Sequence, residues 1–179
     1  MLDETRVLAL VRNGNNDAFT RIIELYHMPI QRYLYRLTGD YDTAKDLTQD
    51  TFLQAYKNIL KTNTDISLKA WLYRIATNNA YQHSRRKKII SFITFQSRTE
   101  SANHNSENQS YLSDKNIAVH EALSKIPEKH RVCMVLHFIE GFKYKEIAET
   151  IGISEEAVRK RVARGSDEFR KLYGSGGGL

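Results

Sequence analysis

The stretch from Tyr144 to Gly165 reads YKEIAETIGISEEAVRKRVARG, and it decides the fold of the second half of the chain. It predicts a short helix, a turn at Gly152 where a positive φ costs little, and a second helix capped by Ser154. Glu155 and the glutamate after it fall in the first turn of that helix, where acidic groups favour the positive end of the dipole. Two helices joined in this way predict a helix-turn-helix, whose second helix enters the major groove of DNA.

Basic side chains dominate the second of these helices. Val158, Val162 and Phe169 mark its inward face. The candidate DNA-contacting residues are Arg159, Lys160 and Ala163 on the outward face and Arg164 at its edge. Arginine can bond guanine through two hydrogen bonds, both basic types neutralise phosphate, and Ala163 can let the backbone approach or touch a thymine methyl group. The alternative is a basic surface helix in an ordinary bundle.

Composition predicts an all-α intracellular protein. Nine glycines and two prolines interrupt 179 residues, and long polar–apolar alternation is absent. A single cysteine excludes an internal disulfide framework and fits a reducing cytosol. Neither a membrane-length apolar run nor a signal-peptide pattern is present, so we expect a cytoplasmic protein.

The net charge of +6 is unevenly distributed. Residues 1–73 are neutral, whereas residues 74–88 hold five basic groups and no acidic group. Together with the basic helix near residue 160, this pattern indicates that the protein contacts an anionic polymer at two places. A solvated surface is the alternative for the basic run at residues 85–88.

Three helices are expected in the first half of the chain. Apolar residues recur at helical spacing from Phe19 to Leu37, where Pro29 could kink or divide the run. A second helix is expected over Asp42–Leu60, a polar loop over Lys61–Ser67, and a third helix over Leu68–Lys87.

The second of these helices carries an acidic stripe, because Asp42, Asp46 and Asp50 follow each other at spacings of four. Gln49 borders the stripe. Apolar spacing places Leu47, Phe52 and Tyr56 on the inward face, although Leu47 and Phe52 are also candidates for partial exposure. Carboxylates beside apolar groups could dock a basic protein helix, although a solvated acidic face is the more common case.

The third helix, AWLYRIATNNAYQHSRRKK, combines aromatic, amide and basic groups (70–88). Aromatic and amide groups that lead into a basic run suit single-stranded or opening DNA. For Trp71 the core is favoured, because it aligns with Leu68 and Ile75. The segment at 97–110, SRTESANHNSENQS, is too polar to bury a core and predicts a flexible linker.

These segments, in their order, resemble the extracytoplasmic-function (ECF) sigma factors of bacterial RNA polymerase. The resemblance rests on DLTQDTFLQAY, WLYRIATNNA, the basic run after it, and IPEKHRVCMVLHFIEGFKYKEIAETIGISEEAVRKRVAR. It implies two small helical domains, sigma-two at 1–88 and sigma-four at 116–173, joined by a flexible linker at 89–115 and followed by a flexible tail at 174–179. We expect no cofactor, no metal and no small-molecule substrate.

The resemblance further implies partners and the residues that meet them. Asp46, Gln49 and Phe52 would dock on the clamp helices of the largest subunit of core RNA polymerase. The minus-ten promoter element would be met by Asn63, Asp65, Asn78, Asn79, Gln82, Arg85 and Arg86, the first two in a loop pocket for a flipped base. The outward residues of the basic helix would read the minus-thirty-five element. The expected regulator is an anti-sigma factor, which in this family is often membrane-bound.

One residue departs from the family pattern. The family more often has alanine in place of Gly165, and glycine costs roughly 1 kcal/mol of helix stability against alanine. Gly165 is therefore expected to shorten or loosen the end of the recognition helix.

Two rival functions remain at this point. A dimeric helix-turn-helix operator-binding regulator would explain the second half of the chain and leave the first half without a task. A metalloenzyme could use His130, Cys133 and His137, but the two histidines lie about 10 Å apart along a helix, too far to share one zinc. A core cysteine with flanking histidines is the favoured interpretation.

Overall fold

The computed structural model describes residues 4–12, 15–59, 67–96 and 114–175, and within these ranges every regular element is an α-helix. The prediction of an all-α protein with two helical domains is confirmed. The described helices are α1 (Glu4–Arg12), α2 (Asn16–Thr38), α3 (Tyr41–Asn58), α4 (Leu68–Gln96), α5 (Asp114–Lys125), α6 (Glu128–Phe138), α7 (Tyr144–Ile151) and α8 (Glu155–Ser175).

Helices α1–α4 form the first bundle. Its long helices begin at side-chain caps: the Asn15 side chain accepts a hydrogen bond from the Ala18 N–H at 3.1 Å, and Asp40 accepts one from the Thr43 N–H at 2.7 Å. Pro29 lies inside α2 without dividing it. The bundle core contains Ile22, Ile30, Tyr33, Leu34, Ala44, Ala55, Leu72 and Ala76, each fully buried.

Helices α5–α8 form the second bundle, in which α6 packs against α8. A Cβ atom on Gly165 would lie 3.2 Å from the carbonyl oxygen of His130. The expectation that Gly165 shortens the recognition helix is wrong, because α8 continues through it to Ser175. The missing side chain lets two helix backbones approach closely, and the packing gained offsets the unfavourable helix propensity of glycine.

Two predicted boundaries shift. α4 does not end at Lys87 but runs to Gln96, because neither glycine nor proline interrupts the sequence after Leu68. The chain is also helical again from Asp114. The expected linker therefore loses residues at both ends, and the polar segment 97–110 lies outside the described residues.

The sequence left the relative placement of the two domains open, and the structure shows them packed together. α4 lies against α7, and α2 lies against α5 and α6. The ring of Tyr73 in the first bundle meets the ring of Phe142 in the second at 5.1 Å between centroids. Within the described ranges, no helix combines the length and apolar character needed to span a bilayer.

Candidate nucleic-acid interface

The helix-turn-helix predicted from the sequence is present. α7 ends at Ile151, Gly152 follows with a φ of 70°, and α8 begins at Glu155. Ser154 caps α8, since its hydroxyl oxygen accepts a hydrogen bond from the Ala157 N–H at 3.2 Å. Glycine adopts this left-handed conformation at the least cost, so local chemistry fixes both the turn and the start of the second helix.

α8 presents its four predicted DNA-contacting residues to solvent. On its opposite side Val158 is 0% exposed and Val162 is 2% exposed, so apolar packing fixes the rotation of the helix. The exposed set is Arg159, Lys160, Ala163 and Arg164. Three cations and one small residue therefore share a surface that a duplex groove could cover.

Neighbouring groups orient the first two cations. Arg159 lies 3.4 Å from Glu155, and Lys160 lies 2.6 Å from Glu156. The Arg159 guanidinium also lies over the ring of Tyr144, 5.8 Å from its centroid. Exposed ion pairs of this kind contribute little stability, so an approaching phosphate can replace the carboxylates. Tyr144 could not be assigned to this surface from the sequence, because its contact with Arg159 depends on the angle between α7 and α8.

Arg161 has a different environment from its basic neighbours. It is half-buried and interacts with the Cys133 thiol of α6 and with Tyr81 of α4. Burial raises the pKa of Cys133, and Arg161 partly opposes that shift. Burial likewise raises the pKa of Tyr81 to about 12. Arg161 therefore belongs to the packing between the bundles rather than to the outward face of α8.

The second candidate surface lies on α4. Its exposed members are Asn78, Gln82, Arg85 and Arg86, which were all predicted to meet the minus-ten element. They place two amide side chains and, after them, two arginines along one helix. The other two predicted residues of this set, Asn63 and Asp65, lie outside the described residues.

Asn79 does not belong to that surface, which corrects its predicted exposure to DNA. It is 5% exposed. Its amide nitrogen donates to the Thr51 hydroxyl at 3.2 Å, and its amide oxygen accepts from the Gln54 side chain at 3.0 Å. Both polar ends are occupied by α3, so Asn79 holds α3 against α4.

The docking surface predicted on α3 is partly different from expectation. Asp46 and Gln49 are exposed as predicted. Phe52 is 6% exposed and stacks on His27, and Leu47 is 8% exposed, so the expected partial exposure of both residues is wrong. They lie on the side of α3 that faces the bundle, which the acidic spacing alone did not reveal.

Apolar exposure on α3 comes instead from Leu53 and Tyr56, which are both 49% exposed. The expectation that Tyr56 faces inward is therefore wrong, although its ring still touches Phe19 edge-on. Gln49, Leu53 and Tyr56 follow each other at spacings of four and three, which places them on one helix face. We name the set Asp46, Gln49, Leu53 and Tyr56 the α3 stripe.

A cleft of about 300 Å³ lies between α3 and α4. Asp46 and Asp50 line one side, and Gln82, His83 and Arg86 line the other. The structure thus places the acidic part of the α3 stripe beside the residues predicted to contact DNA. Amides, carboxylates and cations line the cleft, which suits polar groups of a partner better than an apolar ligand.

The two histidines near Cys133 have partners of their own. His130 lies 3.1 Å from Glu168 on α8, and His137 donates through Nδ1 to the Phe142 carbonyl oxygen at 2.9 Å. Cys133 is buried. Within the described part of the chain, no three potential metal-ligating side chains lie together.

Comparison with known proteins gives matches over both halves of the chain. The family model Sigma-70 region 2 matches residues 22–89, and the model Sigma-70, region 4 matches residues 116–167. The ECF RNA polymerase sigma factor SigW of Bacillus subtilis is 29% identical over 171 residues, covering 90% of this chain and 91% of the relative. The RNA polymerase sigma factor YlaC of the same organism is 30% identical over 161 residues, covering 88% and 92%.

Solved structures agree in fold. The sigma factor RpoE in complex with the anti-sigma factor NepR from Bartonella quintana matches with a TM-score of 0.71 and 25% identity, covering 86% of this chain and 95% of that chain. CnrH in complex with the cytosolic domain of CnrY matches in fold, with a TM-score of 0.73 and 21% identity over 96% and 97%.

These matches also decide between the two transcriptional alternatives. An operator-binding regulator would account for the region 4 match alone, whereas region 2 is matched as well. Because the two matched regions cover more than half of the chain, and because SigW and YlaC are matched over about nine-tenths of their lengths, the chain belongs to the ECF sigma factors of bacterial RNA polymerase.

Proposed function

We propose that this protein binds core RNA polymerase and directs it to promoters through two separate DNA-binding surfaces. The observation that carries the proposal is the exposure of three cations on the second helix of a helix-turn-helix, in a chain that also matches region 2. The role is that of a non-enzymatic, cofactor-free initiation factor in the cytoplasm.

The first surface reads the minus-thirty-five element as duplex DNA. Arg159 and Arg164 can each bond guanine through two hydrogen bonds, while Lys160 neutralises phosphate. Ala163 lets the helix backbone lie close to the floor of the groove or contacts a thymine methyl group. Tyr144 supports this surface by holding Arg159 in place.

The second surface holds the minus-ten element as it opens. Asn78 and Gln82 offer amides to base edges, and Arg85 and Arg86 neutralise the backbone. Asn63 and Asp65 remain our proposal for the pocket of a flipped base, whereas Asn79 acts only by positioning α4. Capture of unpaired bases favours the melted state by mass action, so opening needs no ATP.

The α3 stripe docks on the clamp helices of the largest polymerase subunit. Asp46 and Gln49 supply polar contacts, and the apolar contacts come from Leu53 and Tyr56 rather than from Phe52. Half-exposed apolar groups bordered by carboxylates are typical of a surface that meets a basic partner. Because polymerase then carries both DNA-binding surfaces, binding at one promoter element raises the effective concentration of the other surface at its own element.

An anti-sigma factor is the regulator that we propose. A related structure, RpoE of Bartonella quintana, was solved in complex with the anti-sigma factor NepR. A partner that binds both bundles at once would cover surfaces that polymerase needs. We propose that such a partner controls this protein, and a membrane-bound form would link it to an extracellular signal.

Run-off transcription with core polymerase on a library of promoter templates tests this function. We expect initiation to depend on the added protein, and expect enriched templates to share two elements. Arg164→Ala should relax the preference at the upstream element alone, and Gln82→Ala should act at the downstream element alone. Binding of duplex DNA without any stimulation of core polymerase would favour the operator-binding regulator and overturn the proposal.

A further inference from the structure

Glu140, in the turn between α6 and α7, contacts the first bundle through both its side chain and its backbone. Its Oε2 accepts a hydrogen bond from the Tyr73 hydroxyl at 2.5 Å, and its Oε1 lies 3.5 Å from the Arg36 guanidinium. Its backbone carbonyl accepts from Lys69 Nζ at 2.8 Å. The Glu140 side chain is only 10% exposed. One residue of the second bundle therefore engages three side chains from α2 and α4.

A second polar contact lies further along α4. Arg74 donates from Nε to the Thr150 carbonyl at 3.1 Å and from its terminal nitrogen to the Glu149 carbonyl. These carbonyls belong to the last turn of α7, where the helix dipole is negative. A guanidinium at this position satisfies acceptors that α7 leaves open at its end. The contact fixes the first helix of the helix-turn-helix against α4.

Ring contacts between the bundles accompany the polar contacts of Glu140. Phe142 is 4% exposed, packs on the Tyr73 ring, and lies under Lys69 Nζ at 4.5 Å from its centroid. On α2, the Tyr35 ring stacks on His120 of α5 at 4.4 Å. Burial also raises the pKa of Tyr73, so its hydroxyl remains a donor to Glu140 across the physiological range. The interface therefore combines a nearly buried carboxylate with packed rings.

This packed arrangement is too small to span a promoter. The positions after which the minus-ten and minus-thirty-five elements are named differ by about 25 base pairs, which is about 85 Å of straight duplex at about 3.4 Å per base pair. A packed chain of this length has a radius of gyration of about 16 Å. The two DNA surfaces of the proposed function can therefore act together only after α4 separates from α7 and α2 separates from α5 and α6.

We propose that the contact between Glu140 and the Arg36, Lys69 and Tyr73 side chains is an intramolecular latch that keeps the free protein closed. The inference rests on the proposed function, because the need to open follows from two-element recognition. When the latch opens, three polar groups on α2 and α4 lose buried partners, so the closed state is favoured until a larger partner binds the open one. The apparent affinity for polymerase is then reduced by the fraction of molecules that are open.

Small-angle X-ray scattering on the full chain tests the latch without polymerase or DNA. Glu140→Ala removes the shared acceptor, and Tyr73→Phe removes one donor while keeping the ring that packs on Phe142. Asp167→Ala is the matched control, because Asp167 is an exposed acid whose ion pair among the described residues is with Arg170 on its own helix. Circular dichroism on each variant verifies that the helices are retained.

We expect wild type and Asp167→Ala to have a radius of gyration of about 16 Å, and both latch variants to exceed about 20 Å. The same two variants should bind core polymerase several-fold more tightly, in proportion to the gain in open molecules. An expanded wild-type protein would overturn the latch, and so would folded latch variants that stay compact. Expansion of the variants without any binding to polymerase would support the latch and reject the proposed function.

Discussion

Gly165 lies where α8 crosses α6, and its role can be tested by adding a single methyl group. Gly165→Ala improves helix propensity by about 1 kcal/mol, but it places a Cβ atom against the backbone oxygen of His130. Because the oxygen belongs to a helix backbone, it cannot move away as a flexible side chain would. We expect a net loss of about 1–2 kcal/mol in the free energy of unfolding, measured by urea denaturation.

Gly174→Ala is the control for that substitution. It lies in the same helix, and a Cβ atom there would meet nothing within 4 Å. Alanine should be neutral or slightly stabilising at this site. A stabilised Gly165→Ala protein would show that α6 and α8 can separate without cost.

Asn79 and Asn78 are adjacent in sequence and should behave differently on substitution. Asn79→Ala removes two hydrogen bonds between α4 and α3, one to Thr51 and one from Gln54, and should cost about 1–3 kcal/mol of unfolding free energy. Asn78→Ala removes an exposed amide and should leave thermal stability unchanged. It should weaken transcription from a template that carries the minus-ten element alone. Equal stability of the two variants would contradict the positioning role of Asn79.

At the scale of the helices, the α3 stripe predicts a separation between folding and docking. Leu53→Ala should lower the affinity for core polymerase by about 1–2 kcal/mol with little change in stability, because Leu53 is already half exposed. Leu25→Ala on α2 is the matched control, since Leu25 has the same exposed fraction. Fluorescence anisotropy of the labelled variants, titrated with core polymerase, measures the affinity of each one.

Phe52→Ala should show the opposite pattern. A buried phenylalanine truncated to alanine typically costs about 3–5 kcal/mol of stability. If Phe52→Ala folded normally and failed to bind polymerase, the assignment of docking to Leu53 and Tyr56 would be wrong.

Helix starts were the elements that sequence reasoning predicted best. Ser154 and Gly152 act through contacts within a few residues, so their types reveal their roles. The predicted end of the third helix at Lys87 is wrong, because α4 continues to Gln96 through a basic run that holds neither glycine nor proline. The partial exposure predicted for Phe52 is wrong, because amphipathic spacing places a residue on the inward face without distinguishing a half-buried position from a buried one.

At the scale of the whole molecule, Cys133 reports the packing between the bundles. It is buried on α6, interacts with Arg161, and lies near Tyr33 of α2 and Tyr81 of α4. Its raised pKa lowers the reactive thiolate fraction at neutral pH. We expect slow alkylation by iodoacetamide that accelerates as pH rises past the ordinary thiol range.

Release of the closed state should speed that reaction. Glu140→Ala is expected to increase the alkylation rate several-fold at pH 8, whereas Asp167→Ala should leave it at the wild-type value. A rate that is fast in wild type, or unchanged in Glu140→Ala, would contradict a closed arrangement around Cys133.

The contact between the bundles could not be predicted from the sequence. Glu140 stands in the segment IEGFKY as an ordinary turn residue, and its partners Arg36, Lys69 and Tyr73 are at least 67 residues away along the chain. No periodicity or cap relates positions so far apart. Only the packing of α4 against α7 brings them together, so this contact becomes visible only in the three-dimensional structure.

The pairing of Glu155 with Arg159 and of Glu156 with Lys160 gives the recognition helix built-in counterions. A polyanion that approaches α8 displaces two carboxylates of the protein itself, and the entropy gained from releasing mobile salt ions is correspondingly smaller. Non-specific binding to DNA is therefore weakened, because it depends on this electrostatic contribution and makes no base contacts. A promoter whose bases form hydrogen bonds with the released Arg159 guanidinium keeps its higher affinity. These two glutamates therefore increase selectivity among sites in the genome.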